Sequence, residues 1–242
     1  MAQCELTHIA RSPIDVSLAE AQHARYLRTL VTLGCRLLEL APEPDLPDSV
    51  FVEDTAIVFD EVAILTRPGA PSRQPEVASV ASVLAQWRPC VRVEAPGTLD
   101  GGDVLRLGRD VFVGQSGRSN AAGIARLAAA IRPFGYRTIP VPVDGCLHLK
   151  SAVTPVGPET LLINDAWVAR EHWPGMQFVA VAPEEPHAAN ALRIGEVVVH
   201  PASAPRTRER MLAAGLRVIP LDVSEIEKAE GGVTCCSVIF GA

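Results

Sequence analysis

The chain has 242 residues, 48% hydrophobic and 21% charged, with a net charge of −6. That is enough for one substantial core in an ordinary globular protein, and the acidity offers no basic footprint for nucleic acid. Apolar runs such as Ala56 to Phe59 fall far short of a membrane span, and MAQCELTHIARSPID lacks the continuous apolar stretch of a secretion signal.

Residues 16 to 34 predict an amphipathic helix, with Leu18, Ala21, Tyr26, Leu27, Leu30 and Val31 at helical spacing and Gly34 as its stop. A strand, CRLLEL, should follow. SVFVEDTAIVF then reads as a strand in which Glu53 and Asp54 point to opposite faces of a mostly buried run. Buried carboxylates need partners, and no Lys or Arg lies between Arg36 and Arg67. The acids therefore meet either a distant arginine or a cationic ligand, and Asp48 just upstream would add to the second. VAILTR returns across an Asp60-Glu61 turn. In GTLDGGDVL, Asp100 and Asp103 flank Gly101-Gly102, which by itself is turn chemistry. DVLRLG and DVFVGQ pair across Gly108-Arg109, residues 120 to 134 are helical, Gly135 ends them, and YRTIPV follows.

CLHLKSAV reads as a strand with His148 and Lys150 on one polar face. Such a histidine is either a satisfied structural residue or a proton shuttle. SAVTPV with TLLIN, and NALRI with VVVHP, form further hairpins; residues 207 to 214 are helical, Gly215 ends them, and LRVIPL is a strand. EGGVTCCSVIF runs from a glycine turn into a terminal strand, whose alternation sends Cys235 and Cys236 to opposite faces. One of the two suits the core. The other suits a nucleophile, with His148 or Lys150 as base or pKa-lowering charge. The six cysteines form no C-x-x-C or zinc pattern, so a reduced, cytoplasmic setting without a disulfide scaffold is expected.

LGCRLLEL, FGYRTIPV and AGLRVIPL are variants of one helix-end-to-strand unit. Turn positions recur roughly every 40–50 residues, the range of propellers and other arrays. No linker divides the chain, so a single α/β domain over residues 1–242 is expected, of repeated strand–strand–helix–strand units around a centre. A layered α/β fold is the alternative.

In order, FVEDTAIV, LTRPGAPSR, TLDGGDVL, VFVGQSGRSN, LHLKS, ANALR and EGGVTCCS resemble the motif set of the dimethylargininases, from about Leu6 to Phe240. The resemblance implies a pentein fold, a five-bladed α/β propeller of ββαβ units. It implies hydrolysis of an N-omega-methylated arginine to citrulline and an alkylamine through a covalent thiouronium, without metal or organic cofactor. By the same resemblance Cys235 is the nucleophile, His148 the general acid and base, and Asp100 the carboxylate orienting it. Glu53 and Asp54 would hold the guanidinium. Asp48, Arg73 and Arg118 would grip the amino-acid end, Leu6 would lie on a substrate loop, and Ala229 would contact substrate through its carbonyl. Lys150 and Lys228 sit in the motifs without an implied catalytic role. Family members carry a strand before the stretch matching CELTHIAR, so the resemblance also implies that a first strand is missing, or that this chain closes its propeller differently. The implied partner is a small molecule, with neither nucleic acid nor membrane, and a homodimer is compatible with it. Rival readings are arginine deiminase or hydroxyarginine hydrolase activity with the same chemistry, a non-catalytic binder of cationic ligands, and a redox or zinc-sensing thiol protein.

Overall fold

The computed structural model describes residues 1–241; the last residue of the expected 1–242 domain, Ala242, lies outside the described residues. Helix α1 spans Val16–Thr32. The Asp15 side chain accepts the Leu18 N–H at its start, and Gly34 just beyond its end has φ +92, a left-handed conformation open to glycine. The expected strand Cys35 to Leu40 does not form. This stretch joins no ladder among the described residues, and alternation alone cannot make a strand without a neighbour to accept its hydrogen bonds.

The remaining chain repeats one pattern four times. β1 (Ala56–Val58) and β2 (Ala63–Leu65) form a hairpin, and β3 (Cys90–Arg92) joins β2 in parallel after helix α2 (Val77–Leu84). β4 (Val104–Leu107), β5 (Asp110–Gln115), helix α3 (Ala121–Ile131) and β6 (Arg137–Pro142) repeat it. The next set follows a one-turn helix α4 (Leu149–Ala152). It comprises β7 (Val153–Pro155), β8 (Thr160–Ile163) and β9 (Gln177–Ala180), with only a short 3₁₀ turn, Arg170–His172, in the crossover. The last is β10 (Leu192–Ile194), β11 (Val197–Pro201), helix α5 (Pro205–Ala213) and β12 (Arg217–Leu221), followed by a one-turn helix α6 (Ser224–Glu227). Each sheet is thus an antiparallel hairpin extended by a parallel strand, the arrangement that a short turn followed by a crossover produces. Four expected ββαβ units carry a sheet. No fifth sheet is assigned among the described residues, and α1 precedes the four.

Contacts divide the chain into two compact units. One comprises Leu40–Lys150 and Cys235–Ala242. Within it α3 packs its buried face, Ile124, Leu127 and Ile131, on Ile64, Val111 and Val113 of the first two sheets and on Phe59 just beyond β1. A second cluster there joins Ala63 and Leu65 to Val77, Val80 and Leu84 of α2. The other unit comprises Met1–Glu39 and Ser151–Thr234. It buries Leu162, Val179, Val198 and Met211 in one cluster, and ties α1 to α6 through Gln22, which bonds Ser224 Oγ and the Glu225 N–H. Lys228 closes the same corner on Glu225. No described helix is long and apolar enough to cross a membrane.

Candidate active site

Three sequence-predicted placements change in the structure. Glu53 and Asp54 lie on a 3₁₀ turn, Val52–Thr55, ahead of β1 rather than within a strand. Consecutive residues of a three-per-turn helix point about 120° apart rather than 180°, so both acids turn inward and both are buried. His148 sits in a bend just before α4, and the strand begins only at Val153. The reason is local bonding: the Leu149 N–H, one of the donors a helix start leaves unmatched, is taken by Asp103 Oδ1 at 2.9 Å. Cys235 and Cys236 lie in a turn, and no strand follows them among the described residues. The Glu53 N–H donates to the Cys235 carbonyl at 3.1 Å, which joins the cysteine turn to the acidic one.

The unit holding these turns gathers Asp48, Glu53, Asp54, Arg73, Asp100, Arg118, His148 and Cys235. At its centre His148 Nε2 lies 3.0 Å from Asp100 Oδ2 and 3.8 Å from Asp54 Oδ1, with all three residues buried. Asp100 is fixed from three sides: the Gly69 N–H donates to its Oδ1 at 2.7 Å, its own N–H donates to Ser119 Oγ at 3.0 Å, and Arg118 Nη1 stands 3.8 Å from its Oδ2. Asp54 accepts the Gly102 N–H at 3.0 Å and Arg73 Nη1 at 2.6 Å. Glu53 is bridged at 2.7 Å by Lys150, which also donates to the Gly101 carbonyl at 3.1 Å. Both acids therefore have cationic partners within the chain: Asp54 meets an arginine, as the first of the two alternatives has it, and Glu53 a lysine that neither named.

Arg73 is enclosed. Besides Asp54 it bonds Glu76 through Nε and Nη2, and the Phe51 carbonyl at 3.0 Å. Sequence reasoning missed Glu76, Ser116 and Ser119. Glu76 and Ser119 are buried and Ser116 is half-buried, and no spacing rule distinguishes such a hydroxyl or carboxylate from a surface one. Leu6 and Ala229 belong to the other unit. There the Thr7 and His8 N–H groups donate to the Glu230 carboxylate, and Glu230 itself holds φ 56.

Charge follows geometry. Burial opposes an imidazolium at His148, but Asp54, the Asp100 hydrogen bond and Asp103 outweigh it and push His148 up to about 9. Burial likewise opposes the Asp54 carboxylate, and His148 and Arg73 overcome it, holding Asp54 at about 2. Burial pushes Glu76 up to about 7 against the pull of Arg73. The Cys236 thiol is pushed up to about 12 by burial and then by Glu53 and Asp54, which makes it a poor nucleophile. Cys235 beside it is only half-buried. Asp54, Asp100 and His148 bring one ligand atom each within 4.8 Å of one another. An imidazolium is no metal ligand, however, and Arg73 and Arg118 supply positive charge beside these acids, so the set is poorly suited to a metal ion.

No family model matches the chain. It is 43% identical over 241 residues, 98% of this chain and 92% of the relative, to the N(G),N(G)-dimethylarginine dimethylaminohydrolase of Streptomyces coelicolor. It is 36% identical over 228 residues, 93% and 90% of the two chains, to the enzyme of that name from Pseudomonas aeruginosa. The structure is also similar to that of the Pseudomonas aeruginosa protein, solved as a cysteine-to-serine mutant complexed with citrulline. The TM-score is 0.93 at 35% identity, covering 97% of this chain and 93% of that one. The repeated sheets are those of a pentein of the guanidine-modifying class. Within that class, the chain belongs to the dimethylarginine dimethylaminohydrolase family.

Proposed function

We propose that this chain hydrolyses dimethylarginine to citrulline and an alkylamine, with Cys235 as nucleophile, His148 as general acid and base, and Asp100 orienting His148. The observation that carries the reading is the buried 3.0 Å contact of His148 with Asp100, flanked by Asp54. A guanidinium is resonance-stabilised and a weak electrophile, so it must be held as a cation while its carbon is attacked. Asp54 and Glu53 supply the negative charge. When the substrate cation neutralises Asp54, Arg73 is released from that contact and, with Asp48 and Arg118, holds the substrate's amino-acid end, where guanidinium forks suit a carboxylate. Leu6 and Ala229 rest on the motif match alone.

The Cys235 thiolate forms a bond to the guanidino carbon, and the bond to the alkylated nitrogen breaks as His148 gives that nitrogen its proton. The neutral imidazole then takes a proton from water, whose oxygen attacks the thiouronium carbon. The carbon–sulfur bond then breaks as the added hydroxyl gives its remaining proton to solvent, leaving citrulline, the restored thiolate and the His148 imidazolium. Asp100 keeps the ring in register through both transfers. A thiolate nucleophile works in a reducing compartment such as the cytoplasm.

The test is a panel of dimethylated, monomethylated, hydroxylated and unmodified arginine, assayed for citrulline and for the released amine. Dimethylamine from the asymmetric dimethylated substrate at the highest kcat/KM is expected. Cys235→Ser should abolish this, and Cys236→Ser should retain it. Ammonia from arginine as the preferred reaction would make the chain a deiminase, and an active Cys235→Ser variant would remove the proposed nucleophile.

A further inference from the structure

Asp103 takes part in none of these steps, and by sequence alone it belongs to a glycine turn. It is nevertheless fully buried and held by three donors: Ser116 Oγ and Ser119 Oγ at 2.6 Å each, and the Leu149 N–H at 2.9 Å. Each donor leads directly to a proposed site residue. Leu149 follows His148 in the chain. Ser119 Oγ, while donating to Asp103, accepts the Asp100 N–H at 3.0 Å. Ser116 Oγ in the same way accepts the Arg118 N–H at 3.0 Å. The carboxylate lies close against the backbone of Gly114 on β5, where an added Cβ would stand 2.5 Å from Asp103 Oδ1.

We propose that Asp103 is a positioning residue, whose carboxylate sets His148, Asp100 and Arg118 in register through Leu149, Ser119 and Ser116. The inference rests on the reading of His148 and Asp100 as the proton-transfer pair. A carboxylate is suited to this because, when ionised, it only accepts, so both hydroxyls must donate to it and turn their lone pairs to the backbone. Neutral amides and alcohols in its place would leave that direction unset. Asp103 also acts on the ring by charge. The groups facing His148 are Asp54 on the 3₁₀ turn and Asp100 and Asp103 on the glycine turn, with Arg73 and Arg118 one contact further out. The Cys146 thiol lies against the His148 carbonyl. Burial pushes Asp103 up to about 6, with His148 and the two serines pulling the other way, so at neutral pH it is an anion beside the imidazolium.

Asp103→Asn keeps the side chain's size and removes both charge and acceptor-only character. Three readouts test it: the NMR titration of the His148 ring, the pH profile of citrulline formation, and the division of the loss between kcat and KM. The His148 midpoint is expected to fall by on the order of one pH unit, and the alkaline limb of the rate to fall with it. The kcat should drop about tenfold or more through misplacement of the pair, with KM little changed. Ser119→Ala, which cuts the Asp100 tether and keeps the Asp103 carboxyl, should lower kcat with a smaller fall in the His148 midpoint than Asp103→Asn gives. A folded Asp103→Asn variant with unchanged midpoint and unchanged kcat overturns the inference. If Asp103→Asn fails to fold, Ser119→Ala decides, and an unchanged kcat in that variant overturns it. The ring titration needs no turnover, so a wild-type chain inactive on every guanidine would sink the proposed function while the midpoint shift would still support the hold of Asp103 on His148.

Discussion

Cys235 and Cys236 are neighbours whose surroundings assign them different chemistry. Cys236 is packed away with its thiol pushed up to about 12, while Cys235 is half-buried and its carbonyl is tied to Glu53. His148 carries the complementary charge. Its ordinary value of 6.5 is raised to about 9, because Asp54, Asp100 and Asp103 together outweigh burial. A group raised on folding contributes stability fully below its unfolded pKa and loses it as pH climbs through the folded one. The window is therefore 6.5 to about 9, and the proton lost there is the one the departing amine needs. Citrulline formation is expected to hold through neutral pH and fall near pH 9, with Tm declining over the same window. A rate profile and thermal melts taken at matched pH check both. A limb near 6.5 would mean that the three acids do not support the ring.

Among the elements, the 3₁₀ turn Val52–Thr55 and the glycine turn after Asp100 work as one piece. The Gly102 N–H holds Asp54, Lys150 ties Glu53 to the Gly101 carbonyl, and a Cβ on Gly101 would come 1.9 Å from the Glu53 carbonyl oxygen. Here glycine is demanded by close approach of two backbones rather than by its dihedral freedom. Gly101→Ala must push the two turns apart, and with them Glu53 and Asp54 from His148. Overpacking of this kind costs about 1–3 kcal/mol, and a lower Tm with a larger proportional loss in kcat/KM is expected. Urea unfolding and steady-state kinetics on the one variant measure both. Gly108→Ala, at a hairpin turn with no atom within 4 Å of an added Cβ but with φ +61, should cost stability alone.

At the scale of the whole molecule, the two compact units use the same construction, a hairpin extended by a parallel strand over aliphatic side chains. Leu127 on α3 and Leu162 on β8 are both fully buried, one in the core of each unit. Truncating either leaves a cavity that close-packed neighbours fill only in part, at a cost of about 2–5 kcal/mol. Leu127→Ala and Leu162→Ala are each expected to show losses in that range by denaturant unfolding, with activity retained well below the transition. A negligible loss in one of them would show that its unit does not depend on this core.

Much of the backbone plan is legible in the residues themselves. Gly34, Gly135 and Gly215 end helices at positive φ, and the turns at Asp60-Glu61, Gly108-Arg109 and Gly195-Glu196 join strands that do pair. These are local matters of dihedral preference and periodicity, which neighbouring residues carry by themselves. The ordered motifs also marked eight residues that share one unit, and two, Leu6 and Ala229, that belong to the other. What no local pattern held was the meeting of charges. His148 reaches Asp100 across 48 positions, Lys150 reaches Glu53 across 97, and Arg73 reaches Asp54 across 19. The same meetings moved Glu53, Asp54 and His148 out of the strands that alternation predicted, since a buried carboxylate or imidazolium takes whatever backbone brings its partner within bonding distance. The propensity of a few residues for a strand is worth less than that, so tertiary packing decided the turns on which the site is built.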